Sequence, residues 1–482
     1  MNIIKSLIKL INTSNDKTIQ KTEIETYLKT QKNESIFTSY LTSINSDVDL
    51  DTFERELKKI ALSTDKEHFN KEGYFDYYNW QPEIKIARSL DDIEMGSHAR
   101  IKDARYYDIS ELKLTKEELL NLTIDKTTIL SDEQRAIINE YTEKMKDPGL
   151  GIRALHEQGF TGKGVKMAII DQPLGEHREY SSNIAEQYDI NAAEMGCTNA
   201  SMHGAAVTSI AVGKTTGVAP DASVNYYSAI NRSKDPKDIE QYKANLLKAI
   251  EMYKDDEFRL KYYQKELANC ESEAVVPSNR SYVDAINQIL NQNEKLPENE
   301  RVSVVSISWG FDDLAPGYEE LQQALARAKE QGVFIVSTAI DQHYTYKDKK
   351  GNILPMETTG ANRNPQADPN NPKSYEAGAF WKGEKFSENT KNLLLIPMDH
   401  RTVADFMDSS SYRYEGNDGG MSWSTPWLAG TYVLAKQANP NITPEEFWKV
   451  ALETSDECRN NDDNEYVGRL INPQKLIEKV QR

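Results

Sequence analysis

Cysteine is scarce in this 482-residue chain: Cys197, Cys270 and Cys458 are odd in number, far apart and in no CxxC pair. That excludes a disulfide scaffold and short-spaced zinc sites, and it points to a reducing compartment. Long hydrophobic runs are missing too, since none approaches the ~20 apolar residues that a membrane span needs. The N-terminal MNIIKSLIKLINTSNDK breaks its short apolar stretch with two lysines and lacks a small-residue cleavage site. It reads as an amphipathic helix rather than a secretory signal, which places the protein in the cytoplasm. Basic residues are outnumbered, 58 Lys and Arg against 76 Asp and Glu, for a net charge of −18. Such a chain lacks the positive charge with which proteins neutralise nucleic-acid phosphates, and it is repelled by anionic membranes. Gly162-Lys163-Gly164-Val165 precedes a strand instead of following one, so it is not a phosphate-cradling loop. No cofactor and no metal site is expected.

What remains is enough for a sizeable core, with 38% hydrophobic residues. Residues 1–148 read as a helix-rich accessory or regulatory region without repeat or motif. In it, SDEQRAIINEYTEKM starts at Ser131, a helix cap, and stops at Lys146-Asp147-Pro148-Gly149. From residue 149 to 482 the texture changes. VKMAII, SVNYYSAI, VSVVSIS and GVFIVSTA are short β-rich runs, and helical stretches such as SYVDAINQILNQN and YEELQQALARAKEQG separate them. This alternation predicts an α/β domain, a doubly wound, mostly parallel sheet covered on both faces. Two insertions are expected, a charged helical one at about 233–276 and a polar surface loop at about 341–385.

Three segments carry candidate chemistry. VKMAII ends in Asp171, a carboxylate at the C-terminal end of a buried strand, where α/β folds place functional groups. His203 opens HGAAVTSIAVG, a helix start beside a glycine that permits close approach, as suits a base facing a cleft. In GGMSWSTPWLAGTYVLAKQA two glycines deliver the chain to Ser422 ahead of an apolar helix, with Pro426 suited to the first turn. There the free N–H groups of a helix start can stabilise negative charge beside a nucleophilic hydroxyl. Taken singly, each also has a structural reading: strand-end turn, buried helix histidine and helix cap.

Together, in the order Asp, His, Ser, they resemble the subtilase family, the subtilisin-like serine proteases, of the bacterial intracellular type. GFTGKGVKMAIID resembles the family's Asp segment, HGAAVTSIAVGKTTGVAP its His segment and GMSWSTPWLAG its Ser segment, usually written GTSMASPHVAG. VVSISWG resembles the segment lining the substrate cleft, GVFIVSTA the strand before the oxyanion residue, and VGRLINPQKLI the closing turn and helix. The resemblance implies a serine endopeptidase working through an acyl-enzyme, with Ser422 as nucleophile, His203 as general base and Asp171 as its partner. The substrate is a protein or peptide whose extended strand pairs with the backbone at Ser308 and Gly310.

The sequence also departs from the family. The oxyanion position, usually Asn, holds Asp341, which offers no donor when ionised. Gln342, Asn362 and Asn364 are alternative amides. Asp171-Gln172-Pro173 replaces the usual Asp-Thr-Gly or Asp-Ser-Gly, so that turn must differ. The connection from His203 to Gly217 is shorter than in calcium-dependent relatives, so no calcium is expected there. Asp312 and Asp313 either favour basic substrate residues or are ordinary loop charges. The N-terminal region does not resemble the compact pro-domain of secreted subtilases. An autoinhibitory segment, a recruitment domain and a constitutive part of the fold all remain open. The alternative function is a catalytically silent subtilase fold used for binding or regulation.

Overall fold

Runs such as VKMAII are apolar at successive positions, so the strands they form need cover on both faces. The computed structural model describes residues 18–30, 41, 44, 46–50, 53, 84–94, 102–197, 199–272, 275–378, 393–416, 420–460 and 466–481. Residues 1–17, expected as an amphipathic helix, lie outside these. Contacts divide the chain into two units, Met1–Pro82 and Glu83–Arg482. In the first, β1 (Thr18–Ile19) pairs antiparallel with β2 (Val48–Asp49), and α1 (Lys21–Thr30) follows β1.

The second unit opens with β3 (Lys85–Ile86), parallel to β4 (Tyr107–Asp108). Capping boxes start α2 (Lys116–Leu120), where Thr115 and Glu118 bond reciprocally, and α3 (Asp132–Lys144), where Ser131 and Gln134 do. A parallel sheet follows, with α4 (Ile152–Glu157) leading into β5 (Lys166–Asp171) and then β6 (Ile184–Asp189), α5 (Met202–Val212) and β7 (Ser223–Ser228). The helical insertion comes next: β8 (Arg232–Ser233), α6 (Pro236–Met252), α7 (Glu257–Ser272) and β9 (Val276–Pro277). After it come α8 (Arg280–Asn293), β10 (Val302–Ile307), α9 (Tyr318–Glu330) and β11 (Phe334–Ser337). The strand order is β11-β10-β5-β7-β6, every pairing parallel. Met167, Ala168, Ile169 and Ile170 of β5 are at most 1% exposed, as suits the central strand, and Asp171 closes it at the carboxyl end of the sheet.

The stretch expected as a surface loop at 341–385 carries four ordered strands in its described part, which ends at residue 378. It forms the hairpin β12 (Thr345–Lys347) and β13 (Ile353–Pro355), then β14 (Thr358–Arg363) and β15 (Tyr375–Ala377). The reason is burial: Thr359, Gly360 and Ala361 are small enough to pack inside, although polar neighbours mask the pattern. β14 and β15 join β16 (Leu394–Pro397) in a second sheet. A hairpin of β17 (Arg401–Ala404) and β18 (Tyr412–Glu415) then leads to α10 (Gly420–Ala438) and α11 (Pro444–Thr454). The chain closes with β19 (Asp456–Arg459), β20 (Tyr466–Leu470) and α12 (Pro473–Val480), and the second sheet runs β15-β14-β16-β20-β19. α10 is buried along most of its length and lies against α5, β10, β11, β14 and β16. The architecture is the doubly wound α/β fold of subtilisin-like proteins.

The boundary expected at Pro148 falls inside the second unit. Ile109, Leu119, Leu120, Ile138, Tyr141 and Met145 form a small core completed by Tyr414 of β18. Tyr414 donates its hydroxyl hydrogen to the Leu120 carbonyl at 2.9 Å, and the Thr402 amide donates to the Met145 carbonyl at 3.1 Å. The buried Arg363 guanidinium donates to the carbonyls of His400 (2.6 Å) and Asp147 (2.8 Å).

Beside Arg363 lies Asp399, fully buried, with one carboxylate oxygen accepting the Arg363 amide at 3.0 Å and the other unpaired among the described residues. Burial pushes this carboxyl up to about 7 and pushes the neighbouring His400 down to about 3. A raised acid contributes stability below its unfolded value, near 4, and loses it as pH rises towards 7. The depressed histidine acts oppositely, losing stability as pH falls from about 6.5. Comparing thermal melts of wild type and Asp399→Asn therefore isolates the acid. The variant should gain relative to wild type as pH rises from about 4 to 8. Parallel curves would show that the fold does not raise the Asp399 carboxyl above its unfolded value.

Candidate active site

Asp171 ends β5 and His203 is the second residue of α5. His203 Nδ1 donates to Asp171 Oδ1 at 2.7 Å, and the side chains are 18% and 5% exposed. The same oxygen accepts the Gln172 amide at 2.8 Å. The altered turn after Asp171 helps to place the helix carrying His203. Gln172 Oε1 accepts the hydroxyl hydrogen of Ser201 at 2.6 Å, and Ser201 caps α5 by accepting the amides of His203 (2.9 Å) and Gly204 (3.3 Å). Position 204 must be glycine, because a Cβ there would stand 2.6 Å from the Gln172 carbonyl oxygen. Sequence reasoning did not find Ser201 or the positioning role of Gln172. A Ser two residues before His203 at a helix start was the available signal.

Ser422 lies in the first turn of α10, which opens at Gly420 with φ of +54°, a value that favours glycine. Pro426, expected in the first turn, sits inside the helix. Lacking an N–H, it cannot bond the carbonyl four residues back, that of Ser422. Ser308 supplies the missing donor: its hydroxyl bonds the Ser422 carbonyl at 2.8 Å, and the Ser422 hydroxyl donates to the Ser308 carbonyl at 3.2 Å. Two pairs result, Asp171 with His203 and Ser308 with Ser422, and among the described residues no hydrogen bond joins His203 to Ser422. Trp423 connects the pairs, its ring centroid 5.3 Å from that of His203.

Gly310 lies two residues past Ser308, and a Cβ there would sit 3.6 Å from Thr338 Oγ1, an ordinary contact. The Thr338 amide donates to the Trp309 carbonyl at 3.3 Å, so the segments leaving β10 and β11 run side by side. Asp341 follows on a single 3-10 turn, Ile340–Gln342, and is exposed. Burial, and then the charge of Asp341, raise the carboxyl of Glu357 above its usual range. Among the alternative amides, Gln342 is exposed, Asn362 donates to Glu376 Oε1 at 3.3 Å, and the Asn364 side-chain oxygen accepts the Gln366 amide at 2.9 Å. Asp312 is bound into its turn, Oδ1 accepting the Leu314 amide at 2.9 Å, whereas Asp313 is exposed. In the short connection after α5, the buried Glu179 carboxylate accepts the Thr215 amide and hydroxyl, both at 2.8 Å. Among the described residues no three His, Cys, Asp or Glu side chains gather as a metal site, and no helix is long and apolar enough to cross a membrane.

The family model for Peptidase S8, the subtilase family, matches residues 162–378. This span holds Asp171, His203, Ser308, Gly310 and Asp341, while Ser422 lies beyond it. The chain therefore resembles the subtilases, and at family level that is a serine-protease relationship. Among solved structures, the prenylagaramide maturation protease PagA is 16% identical with a TM-score of 0.38, the match covering 68% of this chain and 98% of that one. The A-subunit of the AB5 toxin from E. coli is 14% identical with a TM-score of 0.43, covering 70% and 99%. A cold adapted subtilisin-like serine proteinase is 14% identical with a TM-score of 0.37, covering 64% and 89%. No curated protein matches the chain.

Proposed function

We propose that the protein is a cytoplasmic serine endopeptidase that hydrolyses protein or peptide substrates through an acyl-enzyme. The observation that carries this reading is the 2.7 Å bond from His203 to Asp171, two residues drawn from separate family-like segments. For attack, the Ser422 hydroxyl leaves the Ser308 carbonyl and gives its proton to His203 Nε2, while Oγ bonds to the scissile carbonyl carbon. Free enzymes often hold such groups apart until substrate binds. Asp171 keeps the Nδ1–H tautomer and stabilises the imidazolium. The proton then passes to the leaving amine, and water repeats the sequence in reverse to release the acid. The substrate strand pairs with the Ser308–Gly310 backbone, and the Ser422 amide at the start of α10 faces the developing oxyanion. An acidic chain with no candidate cofactor loop fits a peptide substrate and not a nucleic acid.

Asp341 favours the second reading, a silent subtilase fold, because an exposed carboxylate at the oxyanion position repels the charge that develops there. One experiment addresses both readings. A fluorophosphonate probe should label purified wild type and fail to label Ser422→Ala. Asp341→Asn should raise the labelling rate by roughly 10- to 100-fold, below the 10²–10³ that one such donor is worth when removed. Absence of labelling in both wild type and Asp341→Asn would sink the protease reading.

A further inference from the structure

We propose that Trp423 is a positioning residue for His203, its indole face holding and stabilising the imidazole in the charged form created when Ser422 gives up its proton. The inference rests on the reading of His203 as general base. Trp423 directly follows Ser422 in α10 and is 4% exposed. Its ring centroid lies 5.3 Å from that of His203, with the planes tilted by 34°. That is inside the roughly 6 Å over which a cation is drawn to an aromatic face, and indole offers the strongest face of the natural side chains. Asp171 on β5 is the charged group that faces the imidazole, at its Nδ1 edge and 2.7 Å away. Asp171 thus fixes an edge of the imidazole, and Trp423 packs against it from α10.

A second observation shows that simple packing is an insufficient account. The Trp423 Nε1–H is buried and has no hydrogen-bond partner among the described residues. An unpaired buried donor is a cost that Phe, Leu or Met at this place would not carry. What indole supplies in return, and those side chains supply weakly or not at all, is a large negative quadrupole. A neutral imidazole gains little from it. An imidazolium gains more, so the interaction strengthens as the proton moves from Ser422 Oγ to His203 Nε2 and the Oγ–carbon bond forms. Binding that tightens only along the reaction raises the rate of the chemical step.

The test uses the full chain and compares wild type with Trp423→Phe and Trp423→Leu by fluorophosphonate labelling rate across about pH 5 to 9. Trp423→Leu should label roughly 3- to 30-fold more slowly on the plateau, and Trp423→Phe within about threefold of wild type. The sign of the pH effect is specific. Loss of the indole face disfavours the protonated ring, so the acid limb of the Leu variant moves to lower pH. Water entering a vacated space would move it to higher pH. Equal slowing of both variants with an unmoved acid limb would overturn the proposal, leaving Trp423 a packing residue. If melts show that Trp423→Leu does not fold, Trp423→Met replaces it under the same criteria. If wild type is not labelled at all, the protease reading fails, and the inference is judged on ¹⁵N-histidine NMR titration of the same variants, with His203→Gln giving the assignment. A His203 signal that titrates identically with Trp423 and with Leu would then overturn it.

Discussion

His203→Ala should lower peptide turnover by roughly 10⁶-fold, and Ser422→Ala should cost as much, with the double variant losing no more. The reason is that in the proposed mechanism the two groups act as one device. Without an acceptor at Nε2, the Ser422 hydroxyl has only the Ser308 carbonyl, 3.2 Å away, to take its hydrogen bond, and a carbonyl is no base. Without the hydroxyl, the imidazole has nothing to deprotonate. The residual rate, roughly 10³–10⁴ above water, would come from the oxyanion contacts and substrate binding, which neither substitution touches. The measurement is kcat for one peptide on both single variants and the double. Losses that multiply would mean that the residues act in separate steps, and a loss of only tenfold in either would remove it from the mechanism.

Asp171→Asn should lower kcat by roughly 10⁴-fold and leave KM nearly unchanged, because Asp171 is buried beneath His203 and has no route to substrate. Asp171 Oδ1 serves two donors, His203 Nδ1 and the Gln172 amide. An asparagine that keeps its oxygen towards both preserves the tautomer but loses the negative charge 2.7 Å from the forming imidazolium. One that turns its amide nitrogen to Nδ1 forces the proton onto Nε2 and closes the ring to Ser422. Both orientations act on the chemical step. A matching rise in KM would place Asp171 in substrate binding instead.

Much of this arrangement was legible because it rests on local signals. The strand ending in Asp171 announces itself by six apolar-rich residues, and the start of the His203 helix by a glycine leading into an apolar run. The parallel sheet followed from alternating strand and helix patterns. What escaped depended on distant partners. Pro426 reads as a first-turn proline until Ser308, 114 residues before Ser422, is seen bonding the carbonyl that the proline leaves free. Residues 1–148 read as a separate region because Tyr414, which completes the small core around Leu120, lies almost 300 positions away in sequence. β14 and β15 were hidden by Asn, Asp and Pro that flank a short buried stretch. Nothing in the sequence around Trp423 reports which ring it meets.

The helical insertion leaves and re-enters the domain at adjacent points. Arg232 is paired with Pro277 and Ser233 with Val276, so the two-residue ladder of β8 and β9 closes α6 and α7 at their base. The cost of bringing the ends together is met at the ladder, and lengthening a closed loop adds only about 0.6 kcal/mol per doubling. Beyond the ladder the base of α6 stays tied to the domain, Asp238 accepting from Arg280 of α8 at 2.8 Å and Asn245 donating to the Leu314 carbonyl at 2.9 Å, so length can vary only at the outer end of the helical pair. The insertion is in effect a mounted bracket, fixed at its foot by the ladder and by Asp238 and open to change only at its tip.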